Sequence, residues 1–136
     1  MSANPADAVR RFVADVWNAD RLETAYDVVG PDLPGLDGVG PDATLAWHAD
    51  RRLAFPDLVY EIVELVADGE QVAFSWQASG TQQGAFGPVP ATGRQVSYRG
   101  ATFCRVVDGR IVALSSVNDL FGLLQQLGVE VTPPSP

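Results

Sequence analysis

Two periodicities divide this chain near residue 58. Before that point, apolar residues recur at helical spacing. Val9, Phe12, Val13, Val16 and Trp17 fall at i, i+3 and i+4 and predict a helix over 5–18. Leu22, Ala25, Tyr26 and Val29 predict a second, shorter helix over about 21–29. The breaker-rich stretch Gly30–Pro41 predicts a loop. Asp42 is then expected to cap a third helix running to about Ala54, with Pro56 ending it. From Leu58 the period becomes two. Asp68-Gly69 separates the alternating runs Val59–Val66 and Gln71–Ser79, and Asp108-Gly109 separates Val96–Val107 from Arg110–Val117. An Asp-Gly pair between alternating apolar runs is a strong hairpin signal. The Gly- and Pro-rich segment Gly80–Gly93 joins the two hairpins, and Leu120–Leu127 predicts a short closing helix.

This order predicts an α+β fold, with three N-terminal helices packed on a strongly curved, mostly antiparallel sheet and a short C-terminal helix. One domain is expected over 1–128, with residues 129–136 a Pro-rich flexible tail. Long twisted strands curling around helices leave an apolar pocket open at one end, a standard place for a small molecule. Trp17, Tyr26, Trp47, Phe55, Trp76, Phe86, Tyr98 and Phe103 offer more aromatic surface than strand pairing needs, and are the candidate substrate-binding residues. Phe74, in register with Val72 and Trp76, is a core candidate instead.

Composition narrows the partners. A net charge of -8 argues against nucleic acid, whose phosphates need clustered cations. The chain has no lysine, and its adjacent arginine pairs, Arg10–Arg11 and Arg51–Arg52, fall in predicted helices where solvated faces are expected. No apolar run approaches the ~18 residues of a membrane span, and the opening residues lack a secretory pattern. A cytoplasmic protein is therefore expected. One cysteine, Cys104, and one histidine, His48, leave no disulfide and no multi-residue zinc or iron site, so no metal is expected.

Few residues could carry chemistry. Counting in twos from Ile111 through Ala113, Ser115 and Val117 puts Asp119 on one face with those residues, and Asn118 on the other. Asp119 also stands where a helix N-cap belongs, so proton transfer and capping are both open to it. Arg99 and Arg105 share a face with Phe103, and one of them, Arg105 above all, is a candidate to enter the pocket and bind an anionic oxygen. Surface pairing with acids is the alternative. Tyr26 and Tyr98 are candidate donors to an oxyanion. Cys104 has no base partner in the sequence and is expected to be buried in its strand.

Four segments carry a family resemblance: AFPDL at Ala54–Leu58, GTQQGAFGPVPATGR at Gly80–Arg94, RVVDGRIV at Arg105–Val112 and NDLFGLLQQLG at Asn118–Gly128. Their order and spacing resemble the SnoaL-like polyketide cyclases, which implies the NTF2-like cone. It also implies a cofactor-independent enzyme of secondary metabolism that closes a ring in a carbonyl-rich polyketide intermediate by aldol-type acid/base catalysis. Epoxide opening or hydroxylation on the same scaffold, or a non-catalytic protein binding an apolar ligand, are the alternatives. The family's acid/base aspartate falls on Asp119. Gln82 stands where members commonly carry a histidine, and His48 is the remaining imidazole that could replace it. Relatives pair through the outer sheet face, which implies a homodimer.

Overall fold

The computed structural model describes residues 4–135. Helix α1 spans Pro5–Arg11, with the Asn4 side chain accepting from the amide of Ala6 at 2.9 Å. It runs directly into a π-helical segment, Phe12–Asn18. The single regular helix expected over 5–18 therefore widens at Phe12. Wide turns of this kind are uncommon and often stand at functional sites. This one buries Phe12, Val13, Val16 and Trp17 against the sheet. Helix α2 covers Thr24–Val28.

The stretch expected to be loop contains two short paired strands, β1 (Pro34–Gly35) and β2 (Gly38–Val39), turned by Asp37 at a positive φ of 57°. Helix α3 runs Gly40–Ala54. It begins before Asp42, at Val39 as cap position, because Pro41 already fixes a helical φ in the first turn. Asp42 instead accepts from the Tyr26 hydroxyl.

Strands β3 (Val59–Asp68), β4 (Gln71–Thr81), β5 (Gln95–Val107) and β6 (Arg110–Asn118) pair in that order, all antiparallel. The Asp108-Gly109 turn takes φ of 51° and 75°, the two positive angles a right-twisted two-residue hairpin needs. Helix α4, Leu120–Gln126, closes the chain, and no helix or strand follows among residues 129–135. On β5 the alternation is clean. Val96, Tyr98, Thr102, Cys104 and Val106 are buried beneath the helices, while Ser97, Arg99, Phe103 and Arg105 face outward.

Strand β6 breaks its own alternation. Arg105 pairs with Ala113 but Val106 pairs with Ile111, so Val112 is an extra residue, a β-bulge. Ile111 is fully buried on the inner face. Beyond the bulge, the inner face belongs to Leu114, Ser116 and Asn118, opposite Cys104, Thr102 and Gly100. Counting in twos across a bulge gives the wrong face. Asn118 points inward, and Asp119 leaves the strand on the other side. Among the described residues no helix is long and apolar enough to cross a membrane.

Candidate functional site

A cavity of about 320 Å³ opens between α3, β1 and the inner face of β6, at the lower end of the range for small-molecule sites. Trp17 and Phe12, presented by the π-helical segment, form its apolar floor, with Leu33 and Pro34 beside them. Thr44, Trp47 and Arg51 come from one face of α3, at i, i+3 and i+7. Ser116 and Asn118 come from β6. A second opening of about 270 Å³ adjoins it, lined by Asp50, Ala54, Phe86 and Leu120. Arg51 and Asn118 line both.

Arg51 is the most telling group. Its guanidinium carbon lies 4.9 Å from the Trp47 ring centre and 5.6 Å from that of Phe86, so the cation is held between two aromatic faces. Among the described residues no carboxylate pairs with it. A half-buried cation that has no internal partner and faces an apolar cavity is suited to an anionic or strongly polarised oxygen. Below it, the Tyr60 and Tyr98 rings stack edge-on against Trp76. Burial pushes both phenols above their ordinary pKa, and the nearby Arg51 charge opposes this without overcoming it.

The other arginine of the pair has a different task. Arg52 donates to the carbonyls of Trp17 and Leu58, the latter at 2.6 Å, clasping the end of the π-helical segment to the start of the sheet. The expectation of a solvated arginine face on α3 fails because the helix lies across the mouth of the cone. Its successive residues 51 and 52 turn toward the cavity and toward the π-helical segment.

Asp119 is exposed and lines neither opening. Its Oδ1 accepts from the amide of Gly122 at 2.9 Å, the N-cap bond of α4. The desolvated carboxylate expected at this position is absent, since the bulge carries residue 119 past the cavity wall. Gln82 is fully buried but is spent on its own loop. Its Oε1 accepts from the amide of Thr92 at 3.0 Å and the hydroxyl of Thr92 at 2.6 Å, and its Nε2 donates to Val89 O at 3.3 Å. That anchorage fixes the Gly80–Gly93 segment, whose Phe86 covers Arg51. His48 is buried too, with Nε2 at 2.8 Å from Asp20 Oδ1. It is neither exposed nor in the cavity, and its bond holds Asp20 below the usual carboxylate range.

Of the aromatic candidates, Trp17 and Trp47 line the cavity and Phe86 the adjoining opening. Phe55, Trp76 and Tyr98 are core residues. Tyr26 is 51% exposed on the surface and Phe103 is 54% exposed on the outer sheet face. Arg105 shares that face and pairs with Glu70 at 3.1 Å, so the inward-pointing alternative for it is not realised. Arg51 and Ser116 are pocket residues that the sequence reading lacks, and Asn118, a weaker candidate there, takes the inward face expected for Asp119. A signal existed for Arg51: Trp47 four residues earlier on the same helix face. Nothing local marks the bulge that exposes Ser116 and Asn118 to the cavity.

Helices capping a curled four-stranded antiparallel sheet, with a small-molecule cavity at the open end, define the NTF2-like α+β class. The chain belongs to the SnoaL-like polyketide cyclase family, whose sequence profile matches residues 7–127. Among solved structures it is similar to IdmH, a candidate polyketide cyclase from Streptomyces antibioticus, at 30% identity over 93% of this chain and 100% of that one, with a TM-score of 0.80. AclR, a candidate hydroxylase from Streptomyces galilaeus, shares 29% identity over 94% and 98% of the two chains, with a TM-score of 0.78. A candidate polyketide cyclase from Acidithiobacillus ferrooxidans shares 25% identity over 94% and 96%, with a TM-score of 0.82. No curated protein sequence matches the chain.

Proposed function

We propose that this protein is a cofactor-independent cyclase that closes a ring in a carbonyl-rich, polyketide-type intermediate held between α3 and β6. The observation that carries this reading is Arg51, a cation without a carboxylate partner among the described residues, fixed between Trp47 and Phe86 over an apolar cavity. When a carbon between two carbonyls loses its proton, negative charge collects on oxygen. A preorganised guanidinium stabilises that enolate and so acidifies the carbon. The enolate carbon then attacks a second carbonyl that the aromatic floor holds within reach, and the resulting alkoxide takes back the proton that the base removed. Asp50, at the rim of the adjoining opening, is the carboxylate that takes the first proton. Asp119 keeps its capping task. Cation stabilisation of the enolate thereby replaces a strongly basic buried carboxylate.

A 1,3-diketone tests this. Benzoylacetone changes its ultraviolet absorption on ionising, so its apparent pKa can be titrated with and without protein. Arg51 is expected to lower the bound value by about 1–2 units, the equivalent of a charge-assisted hydrogen bond of ~1.5–3 kcal/mol. Arg51→Met should abolish the shift while ligand still binds. A wild-type protein that binds the diketone without acidifying it would remove the catalytic reading and leave a ligand carrier.

The outer sheet face supports a homodimer. Val66, Ala73, Phe103 and Ser115 stand in one cross-strand row and Glu64, Ser75, Ala101 and Val117 in the next, so Glu64 bounds the patch on the β3 side. Val66, Phe103 and Val117 are each more than half exposed there. Large apolar side chains exposed together among small residues, with a polar rim, suit an interaction site.

A further inference from the structure

One buried polar chain of the sheet interior reaches the cavity. Thr102 on β5 is fully buried, and its hydroxyl makes two hydrogen bonds among the described residues. The indole N–H of Trp76 donates to Thr102 Oγ1 at 2.9 Å. Ser116 Oγ, its cross-strand partner on β6, lies 2.8 Å away. Distance alone does not say which hydroxyl donates, but counting protons does. An indole N–H can only donate, so Thr102 Oγ1 accepts from Trp76. If Ser116 donated as well, Thr102 would accept twice and its own hydrogen would be sealed in the core with no acceptor, which carries the full desolvation penalty. Thr102 therefore donates to Ser116 Oγ. Ser116 has one acceptor lone pair occupied and its own hydrogen left over, and it lines the cavity.

We propose that Ser116 is a fixed hydrogen-bond donor to a carbonyl oxygen of the substrate, with Trp76 and Thr102 as positioning residues that aim its proton into the cavity. Donors then approach the ligand from two walls, Arg51 from α3 and Ser116 from β6. That arrangement selects ligands with two acceptor oxygens, as in a 1,3-dicarbonyl unit, over hydrocarbons and amines. The inference rests on the proposed use of the cavity but not on enolate chemistry there.

The test pairs 2-acetylnaphthalene with 2-ethylnaphthalene, which differ in one carbonyl oxygen, and neither needs deprotonation. Wild-type protein is expected to bind the ketone roughly 2–10-fold more tightly, the value of one net hydrogen bond. The infrared carbonyl band of the bound ketone should move to lower frequency. Ser116→Ala should lower the affinity ratio by the value of that one hydrogen bond and move the band part of the way back, with hydrocarbon affinity unchanged. Thr102→Ser, which keeps the hydroxyl, should retain both signatures. Thr102→Val, similar in shape but without the relay, should broaden the band and shrink the ratio. Arg51→Met should keep the part of the ratio that depends on Ser116, so a failed enolate test leaves this one readable. A ratio that Ser116→Ala leaves undiminished, or Thr102→Val behaving like Thr102→Ser, overturns the proposal. Absence of any ketone binding overturns it together with the cavity reading.

Discussion

At Arg51 a charge is held by aromatic faces rather than by an acid, and its neighbours show the opposite habit. Asp20 receives His48 and stands 3.4 Å from Arg52 Nε, while Asp57 accepts from the amide of Thr81 at 2.7 Å. Hydrogen bonds from His48 and from the Thr81 backbone, respectively, hold these two carboxyls below their ordinary value. A depressed folded-state pKa gives stability that is present above the unfolded value, ~3.9, and lost as pH falls through the folded one. Urea unfolding at pH 7, 4 and 3 should therefore show a modest acid loss, since both groups are largely exposed. Asp20→Asn should flatten that decline, and an unchanged slope would exclude the His48 bond as its source. Burial pushes the Cys104 thiol up to about 12, so an aromatic disulfide reagent at pH 8 should label it only after unfolding. Rapid labelling of the native protein would show that β5 opens locally. The buried fate of Cys104 was legible because a strand cysteine without a base partner is ordinarily buried. The inward turn of Arg51 was not, because a charged residue on a helix is ordinarily solvated and only tertiary placement decides otherwise.

Elements were legible where a local rule fixes them. Asp108-Gly109 specified its hairpin because few residue pairs accept two positive φ angles, and the alternation of Val96–Val107 specified a two-faced strand. The bulge at Val112 escaped because an extra residue leaves no compositional mark, yet it decides which of Asn118 and Asp119 meets the cavity. The π-helical segment escaped likewise, since Val9, Phe12, Val13 and Val16 satisfy helical spacing at either pitch. One glycine shows how closely β5 is fitted to this arrangement. A Cβ on Gly100 would lie 2.4 Å from Val117 O and 2.5 Å from the Trp76 ring. Gly100→Ala is expected to destabilise the fold by roughly 1–3 kcal/mol, as overpacked cores do. Chemical denaturation checks it, and a neutral result would mean that β6 can move away without cost.

Across the whole molecule, the cone has two unlike faces. The inner one holds the cavity, and the outer one leaves Phe103 and Val117 uncovered. Sedimentation should find a dimer, and Phe103→Asp with Val117→Asp should give monomers that keep the fold. A wild-type monomer at micromolar concentration would contradict that pairing. The general architecture was legible from periodicity and the motif order Ala54–Gly128. The candidate site was not, because it is assembled from α3, the π-helical segment and β6, which the chain keeps far apart. The most direct measurement follows exchange of the acidic protons of benzoylacetone in heavy water by proton NMR. Wild-type protein should accelerate the exchange, Arg51→Met should lose up to roughly 10–10²-fold of that acceleration, in step with a 1–2-unit shift, and Asp119→Asn, which still caps α4, should exchange nearly as fast as wild type. Exchange undiminished in Arg51→Met, or abolished by Asp119→Asn alone, would contradict the account.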